Sequence, residues 1–326
     1  MQNISTDLDQ ALALLRAGDL VGIPTETVYG LAADARQPEA VAKIFALKGR
    51  PADHPVIVHI AGREQLSDWA CDIPDAAWKL ADAFWPGSLT LILKRQPHVP
   101  DAVTGGQDTV GLRAPAHPLT HALLQRFGGG LAAPSANQFG HVSPTTAAHV
   151  YAEFGDRVPL ILDGGPCQVG VESTIVGLTG DTPTLLRPGG VPREAIEAVL
   201  GQTLVHHEKP STAKVRVSGL LDSHYAPRTP LLVGDLRAIE NEAYRRLETG
   251  GRVAVLHLSP LSGSVCGLDS HQMPDEPEAF ARELYATLRQ YDAGSRFDVL
   301  LLERPPQSAA WLAVNDRVKR ATSASL

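Results

Sequence analysis

Apolar positions along the chain recur at two spacings, one helical and one strand-like. Leu8, Leu12 and Leu15 form a helical stripe behind Ser5-Thr6-Asp7, a run of N-cap residue types, and Gly18 is placed to close that helix. Residues 20–24 then read as a buried strand. Helical patterns follow at 38–47, with Val41, Ile44, Phe45 and Leu47 on or near one face, and at 76–84, 118–127 and 145–154. Short apolar runs at 56–60, 88–93, 110–113, 131–134, 160–162 and 173–178 read as strands. The order predicts an α/β domain built on a twisted mixed sheet, more irregular than a doubly wound one.

Residues 206–227 lose this periodicity. Polar and small residues dominate, which predicts an interdomain linker. Beyond it the alternation is cleaner. Strands at 231–233, 253–258 and 299–302 alternate with helices at 239–247, 278–291 and 311–321, a small Rossmann-like three-layer α/β domain. Neither GxGxxG nor GxxxxGK[ST] stands at its first turn, so the pattern assigns it no nucleotide. The expected boundaries are 1–206, a linker at 207–228, and 229–326.

Composition narrows the class. The 326 residues are 44% hydrophobic and 20% charged, as in a globular chain with a sizeable core. Cys71, Cys167 and Cys266 are odd in number, far apart and without metal spacing, which fits reduced thiols in the cytoplasm. No basic-then-apolar segment opens the chain and no apolar run approaches 18 residues. Neither secretion nor membrane spanning is expected. Residues 1–206 carry 14 Lys and Arg against 21 Asp and Glu, and residues 207–326 carry 15 against 15. Neither part has the basic excess of a broad nucleic-acid surface.

Three clusters and one strand exit carry candidate chemistry. Residues 24–31, "PTETVYGL", crowd two threonines, a glutamate, a tyrosine and a glycine behind an apolar run. Lys48-Gly49-Arg50-Pro51 joins a point charge and a planar fork in a compact turn, suited to polyphosphate or simply to a helix C-terminus. Ala132 to Asn137, "AAPSAN", offers Ser135 and Asn137 at a small-residue strand end, and Ser143 or Thr145 reads as the cap of the next helix. The paired glycines of Asp163-Gly164-Gly165 lead to "GVEST" at 170–174 and to Arg187-Pro188-Gly189-Gly190, loops that fit against a ligand or form plain turns. His117 and His121 lack the glutamate of HExxH, no serine sits in GxSxG, and no cysteine has a histidine beside it. Zinc hydrolysis and an acyl-enzyme are therefore not indicated.

In this order, "PTETVYGL", "KGRP", "HPVIVHI", "VGLRAP", "APSAN" with "SPT", "GVESTIV" and "LRPGG" resemble the Sua5/YrdC family, the L-threonylcarbamoyladenylate synthases. The resemblance spans roughly residues 8–200, and "SHYAP" with the α/β tail is similar to the two-domain Sua5 type. It implies a YrdC-like sheet with a catalytic cleft. There L-threonine, bicarbonate or CO2, and ATP with Mg2+ give L-threonylcarbamoyl-AMP and pyrophosphate. A separate downstream transferase then makes the t6A modification, so tRNA is a partner only indirectly. The threonine amine captures CO2, and the resulting carbamate attacks the α-phosphorus. Alignment and charge neutralisation would carry this reaction, with no covalent enzyme intermediate.

Position by position, the resemblance assigns Lys48, Arg50, Ser135 and Asn137 to catalysis. It assigns Thr27, His59, Arg113, Ala133 and Ser173 to threonine. Lys48, Arg50, His54, Thr109, Ser135, Ser143, Arg187, His224 and Tyr225 fall to ATP. The metal would be held by phosphate oxygens and water rather than by protein carboxylates. Tyr29 is expected beside the threonine pocket, and Glu26 to orient Thr27, Lys48 or an arginine. His54 departs from the asparagine of many relatives. Ser218 and Asp222 depart from the linker pattern, whose implied role is to fold over the site and exclude water. An RNA-binding module without ATP turnover is the competing reading.

Overall fold

The computed structural model describes residues 3–206, 217, 225–263 and 267–326. It divides into two compact units, Met1–Phe139 with Ser143–Leu220, and Gly140–Val142 with Leu221–Leu326. Of the linker expected at 207–228, Val217 and residues 225–228 are described; His224 lies outside the described residues.

The first unit follows the sequence pattern closely at its helices. Helix α1 (Leu8–Arg16) is capped by Asp7, whose carboxylate accepts from the amides of Asp9 and Gln10. Its Ala11, Leu12 and Leu15 are buried against Leu123, Leu124, Val21, Ile23 and Leu160, each large side chain contributing about 1.5–3 kcal/mol. Helix α2 (Pro38–Lys48) begins with proline at its first turn and ends at Gly49, which is left-handed with φ 63°. That turn keeps Lys48 on the helix and sends Arg50 off it. The remaining helices are α3 (Leu66–Trp69), α4 (Asp75–Phe84), α5 (Asp101–Thr104), α6 (Pro118–Phe127), α7 (Ala147–Phe154) and α8 (Arg193–Leu200).

The strands are β1 (Ile4–Ser5), β2 (Val21–Ile23), β3 (Gly30–Asp34), β4 (Ile57–His59), β5 (Leu89–Lys94), β6 (Thr109–Arg113), β7 (Leu131–Ala132), β8 (Leu160–Leu162), β9 (Thr174–Gly177), β10 (Thr184–Arg187) and β11 (Val205–His206). Among the described residues they form one mixed sheet, ordered β1-β8-β2-β3-β7-β4-β6-β5-β9-β10-β11. In the centre β7 runs antiparallel to both β3 and β4, while β4 and β6 are parallel with His59 opposite Arg113. Several elements escape the sequence pattern. Strand β3 is glycine- and alanine-rich, β10 is short, and α8 follows a proline. The cap of α7 is Thr146, whose hydroxyl accepts from the amide of His149; Ser143 and Thr145 are not its caps.

The second unit is a parallel sheet ordered β14-β13-β15-β12-β16, from β12 (Leu231–Gly234), β13 (Val253–His257), β14 (Asp269–Gln272), β15 (Val299–Glu303) and β16 (Ala324–Ser325). Helix α9 (Leu236–Glu248) buries Ile239 and Ala243 against Val253, Val255, Val299 and Leu301. Helices α10 (Pro277–Asp292) and α11 (Leu312–Ala321) complete it; Phe280 of α10 meets Trp311, just before α11, edge to face at 5.4 Å. The polar strand β14, "DSHQ", gave no apolar signal in the sequence.

Candidate active site

The strand exit "PTETVYGL" folds around its own hydroxyls. Thr25 Oγ1 donates to the Val28 carbonyl at 2.6 Å and lies 2.8 Å from Thr27 Oγ1. A hydroxyl has one proton, and Thr25 gives its own to Val28, so Thr27 is the donor between the two threonines. Arg113, at the end of β6, donates from Nη1 to Thr27 Oγ1 at 2.9 Å. It also donates from Nη2 to Glu26 Oε1 at 2.5 Å and from Nε to the Gly87 carbonyl at 3.1 Å. The other Glu26 oxygen accepts from the Ala116 amide at 3.0 Å, and Ser88 Oγ donates to Oε1 at 3.2 Å. Burial raises the Glu26 pKa, but Arg113 overcomes it and holds the carboxyl below its ordinary value. Glu26 thus orients an arginine. Tyr29 is buried; its hydroxyl donates to the Gly165 carbonyl at 2.8 Å and accepts from the Gly164 amide at 3.1 Å.

Lys48 and Arg50 belong to a second patch. Lys48 is 3% exposed. Its Nζ donates to the carbonyls of Ser135 and Asn137, both at 2.5 Å. Burial draws its pKa well below the ordinary lysine value, and neighbouring Arg50 acts in the same direction. The lysine therefore fixes the "APSAN" loop, and its ammonium form keeps one further N–H. Asn137 is buried, and the Ser135 hydroxyl makes no hydrogen bond among the described residues. Arg50 donates to the Pro55 carbonyl at 2.8 Å and lies 6.0 Å from the Phe139 ring, on which His54 rests edge-on at 5.7 Å. Thr109 is buried beside Pro55, Ile57 and Ile175.

A third patch joins the strands at the far side. Arg187 donates from Nε and Nη2 to the Ser173 carbonyl, at 3.2 and 2.9 Å, and from Nη2 to its hydroxyl at 3.2 Å. Thr90 Oγ1 lies 2.8 Å from Ser173 Oγ. Ser143 Oγ donates to Glu172 Oε1 at 2.6 Å. The turn after Arg187 needs its glycine. A Cβ on Gly189 would stand 2.3 Å from the Glu172 carbonyl. His59, on β4 beside β6, is buried, and burial together with Arg113 lowers its pKa to about 3, so it is neutral at pH 7. Ala133 donates its amide to Ile57 and packs over Gly30, where an added Cβ would lie 3.3 Å away.

The first unit thus carries Thr27, Lys48, Arg50, His54, His59, Thr109, Arg113, Ala133, Ser135, Asn137, Ser143, Ser173 and Arg187 at strand ends, at the end of helix α2 and in connecting loops. Shared backbone bonds tie these segments together. Tyr29 donates its amide to Pro144, Ala136 to Tyr29, Val169 to Glu26 and Gly190 to Glu172. Tyr225 belongs to the second unit. It is 1% exposed, left-handed with φ 63°, stacked on Tyr285 at 5.8 Å and covered by Arg317 at 5.3 Å.

Known proteins share both the sequence and the fold. A family model described as "Telomere recombination" matches residues 13–189, and one described as "Threonylcarbamoyl-AMP synthase, C-terminal domain" matches residues 191–323. The chain belongs to the Sua5/YrdC family. It is 42% identical over 320 residues to the threonylcarbamoyl-AMP synthase of Pyrococcus abyssi, covering 96% of this chain and 93% of that one. With the enzyme of the same name from Bacillus subtilis it shares 42% over 326 residues, 96% of this chain and 92% of the other. The crystal structure of Pyrococcus abyssi Sua5 complexed with L-threonine superposes with a TM-score of 0.90 at 40% identity, covering 98% and 96% of the two chains.

The sequence motifs did not single out the residues that hold the side chains of the expected site in place. Thr25, Ser88, Thr90 and Glu172 do this from buried positions. Thr25 and Glu172 lie inside the quoted motifs, two residues from Thr27 and one from Ser173. Thr90 sits on β5 and Ser88 immediately before it, and neither has a motif of its own.

Proposed function

We infer that this chain joins L-threonine, bicarbonate or CO2, and ATP into L-threonylcarbamoyl-AMP with release of pyrophosphate, the first step of tRNA t6A modification. The observation that carries this reading is Arg113, at the end of β6, bonded to Thr27 in the unit that also carries Lys48 and Arg50 at and just after the end of α2. An amino-acid partner and two phosphate partners would then belong to one unit. Arg113 spends three of its five N–H groups on Glu26, Thr27 and Gly87. The other two, one on each Nη, would take the threonine carboxylate as a fork. Thr27 has given its proton away, so it would accept from the threonine ammonium or amine. Lys48, Arg50 and Arg187 would bind the triphosphate and the carbamate, and Ser135 would donate to an oxygen of the reacting groups. His54, Thr109 and Ser143 would line the nucleotide. His59, Ala133 and Ser173 would enclose threonine.

Mg2+ would arrive with ATP on its phosphate oxygens as part of the substrate. Among the described residues no group of three or more His, Cys, Asp or Glu could hold a metal. The product is a mixed anhydride, so a downstream transferase must take it before water does, and tRNA would meet that enzyme rather than this one. No helix among the described residues is long and apolar enough to cross a membrane, and we place the chain in the cytoplasm, where its substrates are.

The test is pyrophosphate release with ATP, Mg2+, L-threonine and bicarbonate, each omitted in turn. Release should require all four and should fall when serine replaces threonine. Release indifferent to threonine would overturn the reading, and salt-sensitive tRNA binding without turnover would favour an RNA-binding module.

A further inference from the structure

We propose that Glu26 is a positioning residue that sets the donor and acceptor pattern of the amino-acid subsite through Arg113 and Thr27. The proposal rests on the reading of Arg113 as the partner of the threonine carboxylate. Glu26 itself is poorly placed to bind substrate. Its side chain is 12% exposed. Its two oxygens already accept three hydrogen bonds, from Arg113, Ser88 and Ala116. Because both oxygens are held, one of them by a backbone amide, the carboxylate cannot turn. A carboxylate that cannot turn fixes the guanidinium bonded to it.

The consequence lies in what that guanidinium has left. Glu26 takes one N–H of Nη2, Thr27 takes one of Nη1, and Gly87 takes that of Nε. One N–H then remains on each terminal nitrogen, a pair of donors for a carboxylate. Beside the pair stands Thr27, whose proton is committed to Thr25 and which is left as an acceptor. Two donors next to one acceptor are the complement of an α-amino acid, whose carboxylate and ammonium sit on one carbon. Glu26 also offsets the Arg113 charge, which would otherwise repel the ammonium. Without Glu26 the guanidinium is free to rotate, and both the donor pair and the charge balance are lost. The charged and titratable groups around Glu26 are Arg113 and Cys167, with His59 beyond Arg113.

Two ligands separate this role from a structural one. L-Threonine carries the carboxylate; L-threoninamide keeps the ammonium and side chain but lacks it. Calorimetry on the full chain should show wild type preferring threonine by about tenfold or more, the worth of a charge-assisted pair. Glu26→Gln should weaken threonine by about tenfold, weaken threoninamide through its ammonium by clearly less, and raise the KM for threonine but not that for ATP. Glu26→Asp should recover part of the preference. Ser88→Ala, which loosens the carboxylate without removing it, should shift threonine affinity in the same direction by less, and it carries the test if Glu26→Gln does not fold. Equal weakening of both ligands by either variant, or an equal rise in both KM values, would overturn the proposal. Failure of the synthase reading would appear in wild type, as release without need of threonine; failure of this proposal would appear in the variants.

Discussion

In the first unit the buried charges are mostly cations that hold backbone carbonyls, whereas in the second, among the described residues, they are mostly carboxylates that hold backbone amides. Lys48 holds Ser135 and Asn137, Arg50 holds Pro55, and Arg187 holds Ser173; Arg113 holds Gly87 too, but is paired with Glu26. In the second unit Glu303 accepts from the amides of Leu258 and Ser259 and from the Ser259 hydroxyl, and Glu240 accepts from the amide and hydroxyl of Ser262. The physical difference is in what is left over. A carbonyl fixes a cation without neutralising it, and a guanidinium or ammonium has N–H groups to spare, so the charge stays available to an anion. A carboxylate ringed by loop donors is solvated in place and braces the loop. On the proposed reading, the same economy of buried charge would give a binding surface in one unit, where it gives a fixed loop in the other.

The comparison breaks most visibly at Lys48. Lys48→Met keeps the packing but removes both the charge and the loop clamp. Pyrophosphate release should fall by about a hundredfold or more, as when one donor to a developing charge is lost. Stability should fall by about 1–3 kcal/mol, because two buried carbonyls lose their donor; urea titration checks it. The wild-type pH profile sharpens the point. Burial lowers the Lys48 pKa, so the free enzyme gives up this proton at lower pH than an ordinary lysine would. Bound triphosphate favours the charged form, so ATP affinity should fall as pH rises, and Lys48→Met should remove that dependence. A pH-independent wild type would mean that Lys48 meets no phosphate.

A smaller effect is expected at Glu303. Glu303→Gln sets an amide N–H group against loop donors and leaves at least one of them unpaired, at a cost of about 1–3 kcal/mol. Hydrogen exchange at Leu258 and Ser259 should quicken, while threonine-dependent release at saturating substrate should stay unchanged. Lost turnover in a variant that remains folded would mean that this carboxylate is more than a brace.

How much of this was legible in the sequence follows from the same contrast. The candidate contact residues Thr27, Lys48, Arg50, Ser135 and Arg113 sit in dense motifs, so they could be nominated from the sequence alone. Their orientation could not. Whether Lys48 points at a phosphate or under the "APSAN" loop depends on a carbonyl 87 residues away. Ser88 and Glu26 meet across 62 residues of sequence. Two of the strands that the pattern missed, β3 with "GLAAD" and β14 with "DSHQ", lack β-branched alternation. The sheet supplies their pairing, so tertiary context overrides a weak local signal there.

His59 gives the smallest and most graded way to separate the units. Its folded pKa is about 3 against an ordinary 6.5, chiefly through burial and then through Arg113. Below pH 6.5 the unfolded chain takes up a proton that the folded chain refuses. Stability is therefore lost as pH falls from 6.5 towards 3, with a slope approaching about 1.4 kcal/mol per pH unit. Glu26 acts in the same direction further down. Its depressed pKa contributes stability above the ordinary carboxylate range, and that stability is lost as pH falls through the folded value. Both groups lie in the first unit, so hydrogen exchange between pH 7 and 5 should quicken there before it quickens in the second. His59→Gln, which cannot titrate, should flatten that early limb even if it lowers stability at pH 7. An equally steep limb in the variant would place the acid sensitivity elsewhere and leave the strand-end charges of the first unit no more vulnerable to acid than the loop braces of the second.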